Sequence, residues 1–261
     1  LRIRPFLRWI GGKRLLVAKL TEYLPQNAQD KIYFEPFLGA ASMYFSIQPK
    51  LSILSDLNYH LINCYEFIKI DYKKVAAYVN SHSLLNCERY YYNIRKKYNE
   101  SNYDAAQAAR FIYLNHTCYN GIFRVNKLGR FNVPFGDKKN PQFPTVNDLS
   151  LVSKVLRNSL LISLDYESVL KSAQKGDFVY LDPPYPPLNG TSYFTHYTQD
   201  RFNAPNQERL AEVVSKLDRK GCLIMMSNAD TAFIKYLYKG YNIHKLVVTR
   251  YVTCKSIKHR V

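Results

Sequence analysis

The sequence predicts an α/β fold in which a helical insertion divides the sheet-forming part of the chain. Around residues 31–56, and again after residue 145, short apolar runs rich in β-branched and aromatic residues alternate with helix-forming residues. From Tyr59 to about Asn115, apolar residues instead recur at helical spacing among tyrosines and lysines. Because alternating strands and helices favour an α/β core, the helical stretch between the two halves is predicted to be an insertion.

The first half of the core is predicted from residues 31–56. The apolar, β-rich run at 31–37 indicates a strand, and residues 38–42 turn into helix-forming residues. A second apolar run at 51–54 then ends at Ser55 and Asp56. This order predicts a strand, a turn, a helix and a second strand.

The insertion and the second half follow in the same way. Breaks near residues 81–86 and 99–103 interrupt the helical pattern, and residues 115–144 are dense in Asn, Gly, Pro, Arg and aromatics, which indicates loops and a hairpin. The second half is predicted to contain strands at 160–164, 178–181 and 222–227 and helices at 166–174 and 206–219. We therefore predict one domain from residues 1–56 and 146–261, and a helical domain from residues 57–145.

The charge of the chain favours a polyanionic partner. Lysine and arginine number 37 against 20 acidic residues, which gives a formal net charge of +17. This exceeds what solubility requires and causes self-repulsion unless a polyanion neutralises it. Nucleic acid is the favoured partner, although charge alone leaves open a basic enzyme of another kind or a protein of the membrane surface.

Cysteine usage and hydropathy indicate the redox compartment of the protein and whether it crosses a membrane. The five cysteines are scattered and show no CxxC spacing, which favours a reduced, metal-free intracellular protein. No run of about eighteen apolar residues is present, so we expect no membrane span.

The chemistry-bearing motif is Asp182-Pro183-Pro184-Tyr185, which directly follows the predicted strand 178–181. The carboxyl ends of strands are where open α/β sheets bind ligands. Proline fixes φ and favours an extended residue before it, so the Asp182 carboxylate and the Pro183 carbonyl are predicted to point outward as two acceptors. Two such acceptors suit an amino group as substrate.

A second ligand-binding pattern lies between Glu35 and Gly39. A predicted strand ends there in a glycine, where backbone can approach a ligand, and a helix amino terminus that favours an anionic group follows. Asp56 lies at the end of the next predicted strand, where an acidic residue can hydrogen-bond ribose hydroxyls.

Taken together, the motifs resemble those of the DNA adenine methyltransferase family that modifies GATC. The resemblance spans almost the whole chain, and it depends on these motifs in this order: WxGGK at 9–13, EPFxG at 35–39, Asp56, RFNVPFG at 130–136, DPPY at 182–185 and Ser227-Asn228. It implies a doubly wound, Rossmann-like methyltransferase sheet with a helical target-recognition insertion. It also implies S-adenosylmethionine as cofactor, no metal, and double-stranded DNA as partner.

The resemblance implies a set of residues around the cofactor. Asp165 and Tyr166 are expected beside its adenine ring. The whole set is Trp9, Gly12, Lys13, Glu35, Pro36, Phe37, Gly39, Asp56, Asp165, Tyr166 and Asp182. The chain departs from the pattern at Gly39-Ala40-Ala41, where relatives often keep more glycines, and we expect at most an altered cofactor contact there.

The DPPY motif fits methyl transfer to an exocyclic amino group. The lone pair of the adenine amino nitrogen is delocalised into the ring, and two acceptors on its hydrogens favour a pyramidal nitrogen that can attack a methyl sulfonium. Tyr185 is expected to stack on the adenine after it leaves the duplex.

The resemblance also implies residues that read DNA. Arg8 and Arg124 are expected at guanine edges, Ile122 and Pro134 at a thymine methyl, and Tyr119 with Asn120 in the space left by the flipped adenine, roles that suit these side chains. A phosphate contact remains the alternative for any one arginine. Asn132 is expected in the same interface, and Lys138 and Lys139 at the DNA backbone.

Three alternatives stay open from the sequence. The same acceptors serve the amino group of cytosine, a non-catalytic DNA-binding relative would keep the same fold, and RNA is a third substrate, disfavoured because duplex RNA hides its major-groove edges. We expect a monomeric intracellular protein of prokaryotic or phage type. Its biological role, as restriction partner, repair mark, phage defence or regulator, and its flanking preferences are not determined.

The carboxyl end carries a further expectation. The stretch 249–261 resembles a charged loop that leads into a closing strand, and that strand is not recognised in the sequence. An open edge would expose the predicted strands at 222–226 and 243–248, so we expect the native chain to continue for about one strand, roughly five to ten residues.

Overall fold

The computed structural model describes residues 3–13, 15–101, 103–185, 202–250 and 257–260. The helices are α1 (Val17–Leu20), α2 (Ser42–Ile47), α3 (Tyr59–Leu84), α4 (Glu88–Glu100), α5 (Ala105–Thr117), α6 (Val146–Leu156), α7 (Tyr166–Leu170), α8 (Ala204–Lys220) and α9 (Ala232–Leu237). The strands are β1 (Ile32–Glu35), β2 (Leu51–Ser55), β3 (Ser159–Ile162), β4 (Phe178–Leu181), β5 (Leu223–Met226), β6 (Val247–Arg250) and β7 (Ile257–Arg260).

Strands β1 to β5 form one parallel sheet in the order β3-β2-β1-β4-β5. The chain moves outward from β1 to β3 and then returns to the other side of β1 with β4. Parallel strands on either side of such a reversal leave a crevice at their carboxyl ends, where ligands bind. The order confirms the predicted doubly wound α/β fold and places the ends of β1 and β4 side by side.

Helices cover both faces of this sheet. Neighbouring residues of a strand point to opposite faces, so Tyr33 lies in a core shared with α2, α3, α5 and α6, while Phe34 lies in a core shared with α7, α8 and α9. Phe178 and Val179 divide in the same way on β4. All four side chains are buried, as expected of central strands in a parallel sheet.

The predicted insertion contains α3, α4 and α5, with breaks where the sequence indicates them. Helix α3 is capped by Asn58, whose side chain accepts hydrogen bonds from the backbone N–H groups of His60 and Leu61. The helix is interrupted at Asp71, which leaves helical geometry and whose carboxylate accepts from the Lys74 N–H at 3.0 Å. Helix α3 packs against both α5 and α6. The insertion and the sheet therefore share one continuous core.

A hairpin follows α5. Antiparallel bridges join Cys118 to Phe135 and Val125 to Phe131, and Asn126 closes the tip by accepting from the Arg130 N–H at 3.0 Å. The chain thus turns back on itself where the sequence predicts a hairpin; we call residues 118–136 the reader hairpin, after the role that the resemblance implies for them.

The two boundaries that differ most from the sequence-based predictions lie in α7 and β6, and one element was not predicted. Helix α7 ends at Leu170, four residues before its predicted end, and β6 begins at Val247 instead of residue 243. The charged stretch at 257–260, expected to be a loop, is strand β7 and pairs antiparallel with β6. The expectation was wrong because pairing with a neighbouring strand, which local charge does not reveal, decides such a short strand.

The loop between β1 and α2 carries local strain. Ala41, which has no exposed surface, adopts φ 55° and ψ 33°, a left-handed conformation that favours glycine. An L-residue there costs about 1–2 kcal/mol. Ala41 therefore lies in the segment Gly39-Ala40-Ala41, where the chain departs from the family pattern, and its backbone geometry favours glycine.

Candidate active site

Glu35 ends β1 and is almost completely buried. Its Oε2 atom accepts from the Tyr33 hydroxyl at 2.8 Å and from the Tyr44 N–H at 3.1 Å, which ties the start of α2 to the end of β1. Burial raises the pKa of Glu35 to about 8; the Tyr33 hydrogen bond opposes the rise, and the charge of Asp182 adds to it. Glu35 therefore holds the loop 36–41 in place chiefly as a buried, protonated group.

We expect Glu35→Gln to remove a pH dependence of stability. The folded-state pKa lies above the ordinary value of 4.5, so the native state keeps a proton that the unfolded state loses. The stabilisation is complete below about pH 4.5 and is lost as pH rises to about 8. Urea unfolding of both proteins from pH 5 to 9 should show the wild type losing free energy of unfolding relative to the variant. A constant difference across this range would contradict the assignment.

The backbone of Gly39 is held on both sides. Its N–H donates to Asp56 Oδ2 at 3.0 Å, and its carbonyl accepts from the Tyr65 hydroxyl at 3.0 Å. The other Asp56 oxygen accepts from the Asn58 N–H at 2.9 Å, and burial raises the pKa of Asp56 against these hydrogen bonds. A Cβ at Gly39 would lie 2.9 Å from Cδ1 of Trp9. Trp9, Gly39 and Asp56 are therefore brought together, and their role around the cofactor stays a prediction.

An aromatic group lies beside this loop. Phe37 stacks on Tyr166 with ring centroids 5.3 Å apart, and Phe202 meets the Phe37 ring edge-on at 5.9 Å. The Tyr166 hydroxyl is buried and has no hydrogen-bond partner among the described residues. These flat apolar faces and an unsatisfied polar atom suit a heteroaromatic ring.

Asp165, which is predicted to lie beside the adenine ring of the cofactor, caps helix α7. Its carboxylate accepts from the N–H groups of Glu167 and Ser168 at 3.0 and 3.2 Å, and from the Ser168 hydroxyl at 2.8 Å. Burial raises the pKa of Asp165, but these hydrogen bonds outweigh it and lower the pKa. Its carboxylate fixes the amino end of α7, and thereby Tyr166, the first residue of that helix.

Lys13 and Asp182 form an ion pair at the end of β4. The Lys13 Nζ atom lies 2.5 and 2.6 Å from the two Asp182 oxygens and donates to the Gly11 carbonyl at 2.9 Å. It also lies 4.8 Å from the centroid of the Tyr185 ring. Side-chain exposure is 6% for Lys13 and 19% for Asp182, so the carboxylate faces the more open side. The structure thus joins two motifs predicted separately.

Gln207, on α8, was not predicted as part of the site. Its side chain has no exposed surface; Nε2 donates to the Pro184 carbonyl at 3.1 Å, and Oε1 accepts from Asn228 Nδ2 at 2.9 Å. One amide therefore ties the DPPY motif to the residues that follow β5. The available signal in the sequence was a polar residue on the buried face of α8, three positions before Leu210.

The reader hairpin holds most of the predicted DNA-binding residues, whereas Arg8 lies near the amino end of the chain and Lys138 and Lys139 follow the hairpin. Arg124 donates from Nε to Asn132 Oδ1 at 2.7 Å and from Nη2 to the Asn132 carbonyl at 3.2 Å, across the hairpin. The Tyr119 N–H donates to the Pro134 carbonyl at 2.9 Å. The predicted set divides into exposed residues, which are Arg8, Tyr119, Asn120, Pro134 and Lys139, and partly buried residues, which are Ile122, Arg124, Asn132 and Lys138.

Lys138 supports the base of the hairpin. Its ammonium donates to the His116 carbonyl at 2.9 Å, and burial, with a contribution from the charge of Arg8, lowers its pKa. Lys139 beside it is exposed and better placed for a phosphate.

No helix in the described part of the chain is long and apolar enough to cross a membrane.

Comparison with known proteins agrees with this geometry. The family model described as D12 class N6 adenine-specific DNA methyltransferase matches residues 9–252. The type II methyltransferase M.MjaIII of Methanocaldococcus jannaschii is 38% identical, over 100% of this chain and 96% of its own length. M1.LlaDCHI, a type II methyltransferase of Lactococcus lactis, is 37% identical over 98% and 92%. The DNA adenine methylase of Escherichia coli is 33% identical over 96% and 89%.

These matches span nearly the entire chain and include every motif that forms the site. The family is one of enzymes that methylate adenine in DNA at N6, and in this chain the Asp182 carboxylate lies at the end of β4, next to the strand that leads into the Gly39 loop. The chain belongs to the D12 class of N6 adenine-specific DNA methyltransferases.

Proposed function

We propose that the enzyme moves the methyl group of S-adenosylmethionine to N6 of an adenine rotated out of double-stranded DNA, within GATC, which leaves S-adenosylhomocysteine and releases one proton from the amino group. The observation that carries the proposal is the meeting of Lys13, Asp182 and Tyr185 at the sheet edge where Gly39 and Asp56 also lie. We further propose that it works as an intracellular monomer and without a metal, because positioning and electrostatics suffice for this transfer.

The residues at the ends of β1, β2 and β3 fit the cofactor. S-adenosylmethionine, when bound, supplies an electrophilic methyl group. The Asp56 oxygens each accept one backbone hydrogen bond and retain lone pairs for ribose hydroxyls. Phe37 and Tyr166 offer aromatic faces and a buried hydroxyl to the adenine ring. Trp9 against Gly39 shapes the loop that approaches the remainder of the ligand.

Asp182 and Pro183 accept the two hydrogens of the adenine amino group. Lys13 contacts both Asp182 oxygens in the described structure, so the amino group shares the carboxylate with Lys13. The carboxylate draws an amino hydrogen toward itself, which makes the nitrogen lone pair available. The Tyr185 ring, held near the Lys13 ammonium, provides the stacking face for the base.

Target reading is assigned to the reader hairpin and Arg8. The Arg124 guanidinium is oriented by Asn132, which suits bidentate recognition of a guanine edge. Tyr119, of which 54% is exposed, is available to fill the space of the flipped adenine. The relatives named type II methyltransferases, at 37 and 38% identity, support a role in restriction and modification.

Methylation of a random-sequence duplex, with positional readout of the modified base, tests the proposal. We expect N6-methyladenine within GATC and in no other four-base context at comparable frequency. Methylcytosine would overturn the assignment of the base, and methyladenine in a different context would overturn GATC. A purified chain that binds duplex DNA but modifies none would be a non-catalytic relative.

Gln207→Met should slow turnover while leaving DNA binding nearly unchanged. The variant keeps the side-chain volume but removes the hydrogen bonds to Pro184 and Asn228, so the DPPY loop loses its support. We expect kcat to fall about tenfold, which corresponds to about 1.4 kcal/mol, with the KM for duplex within about twofold, as measured by steady-state kinetics. The exposed Gln174→Met variant is the control. Equal kcat values for the two variants would contradict a positioning role.

A further inference from the structure

Residues 8–13, which we call the connecting segment, touch three parts of the site. Arg8 lies against the reader hairpin, where a Cβ at Gly121 would come within 3.0 Å of its Cβ and Cδ atoms. Trp9 borders Gly39 in the cofactor loop. Lys13 binds Asp182. One short stretch of chain therefore connects base reading, the cofactor loop and the catalytic carboxylate.

Asn115 fixes this segment to the hairpin. It is buried near the end of α5, with 4% of its surface exposed. Its Oδ1 atom accepts from the Arg8 N–H at 2.8 Å, and its Nδ2 atom donates to the Arg8 carbonyl at 2.7 Å. The same Nδ2 atom donates to the Gly121 carbonyl at 3.3 Å. A single amide thus holds Arg8 from both sides and also holds the turn that carries Tyr119.

A second contact supports the same connection. The Trp9 ring stacks on Phe123, with centroids 6.1 Å apart and planes inclined by 21°. Phe123 lies between Ile122 and Arg124, two predicted base readers. A displacement of the hairpin must therefore carry Arg8 and Trp9 with it or break buried hydrogen bonds, which is costly.

We propose that Asn115 is a positioning residue that transmits base recognition to the Lys13–Asp182 pair through the connecting segment. The proposal rests on the proposed function. On the correct target, the hairpin and Arg8 settle against the base edges, and Lys13 keeps Asp182 in position. A wrong base displaces the hairpin, and Asn115 passes the displacement to Asp182. Part of the discrimination between targets then lies in the rate of methyl transfer itself.

The chain offers a matched control for Asn115→Ala. Asn99 makes the same two-sided clamp on the hairpin residue Phe131, accepting from its N–H at 2.8 Å and donating to its carbonyl at 3.0 Å. Asn99→Ala therefore loosens the hairpin at Phe131 instead of at Arg8. Phe123→Leu is a second test variant that weakens the Trp9 contact and keeps the Asn115 hydrogen bonds.

Two measurements report on the connecting segment. Trp9 is the single tryptophan of the chain, so its fluorescence reports on this segment directly. We expect a GATC duplex to change Trp9 emission more than a duplex with one base pair altered, and Asn115→Ala to lose this difference while still binding both duplexes by anisotropy. The ratio of single-turnover methylation rates for the two duplexes should fall about fivefold or more in Asn115→Ala and Phe123→Leu. Asn99→Ala should keep the wild-type ratio.

The outcomes separate this inference from the proposed function. A wild-type protein that binds no duplex, or methylates none, overturns the proposed function and this inference with it. A wild type that methylates the GATC duplex without any change in Trp9 emission overturns the inference alone. So does a wild-type rate ratio in Asn115→Ala, or an equal loss in Asn99→Ala. If Asn115→Ala does not fold, Phe123→Leu decides between these outcomes by the same readouts.

Discussion

Asp182→Ala is expected to lower the rate of methylation by at least about 10²–10³-fold and to leave duplex binding largely intact. The carboxylate pairs with Lys13 and, in the proposed function, accepts a hydrogen from the adenine amino group, whereas contact with the DNA backbone is assigned to Lys139. Removing one preorganised electrostatic contact of this kind costs about 10²–10³ in kcat. Single-turnover methylation and fluorescence anisotropy on the same duplex measure the two effects.

Asp182→Asn is the informative companion variant. It keeps one acceptor oxygen and the side-chain volume, but it loses the charge that pairs with Lys13. We expect a rate between those of the wild type and Asp182→Ala. Full activity in Asp182→Ala would show that the DPPY motif does not carry out the reaction. A large loss of DNA affinity would show that Asp182 supports the DNA interface instead.

Arg124→Ala should lose about 1–3 kcal/mol of discrimination at one guanine position, the value of a bidentate contact to a base. The guanidinium is held in place by two hydrogen bonds to Asn132, so in the proposed function the variant removes an oriented base reader. The measurement is kcat/KM on GATC and on the duplexes that change each position singly. We expect near-cognate sites to be methylated relatively faster, at one position only.

Lys139→Ala is the control for Arg124→Ala. Lys139 is exposed at the foot of the hairpin and suits a phosphate. Loss of its charge should weaken binding to all DNA sequences alike and reduce the salt dependence of DNA binding by about one unit of slope. If Arg124→Ala also weakens every duplex equally, Arg124 binds a phosphate and another group reads the guanine.

The sequence alone was sufficient to predict the fold class, and it also located the helical stretch, the hairpin segment and the motifs whose roles stay predictions. These features are encoded by stretches of a few residues: a buried strand that runs directly into Asp182 and Tyr185, or a strand that ends at Glu35 and Gly39. Periodicity and turn chemistry act over such short distances, and motif order along the chain is preserved by folding. Strand β7 was missed because its partner strand, and not its own residues, determines it.

Only the tertiary structure decided which of these groups meet. Lys13 and Asp182 are 169 residues apart, and Arg8 and Asn115 are 107 apart; no local pattern states that such pairs are in contact. Asn115 and Gln207 look like ordinary polar residues of helices in the sequence, yet burial obliges each amide to find partners, and the sheet order determines which partners are within reach. The motifs therefore indicate the candidate chemistry, whereas the contacts that connect the hairpin, the cofactor loop and the Asp182 carboxylate depend on packing.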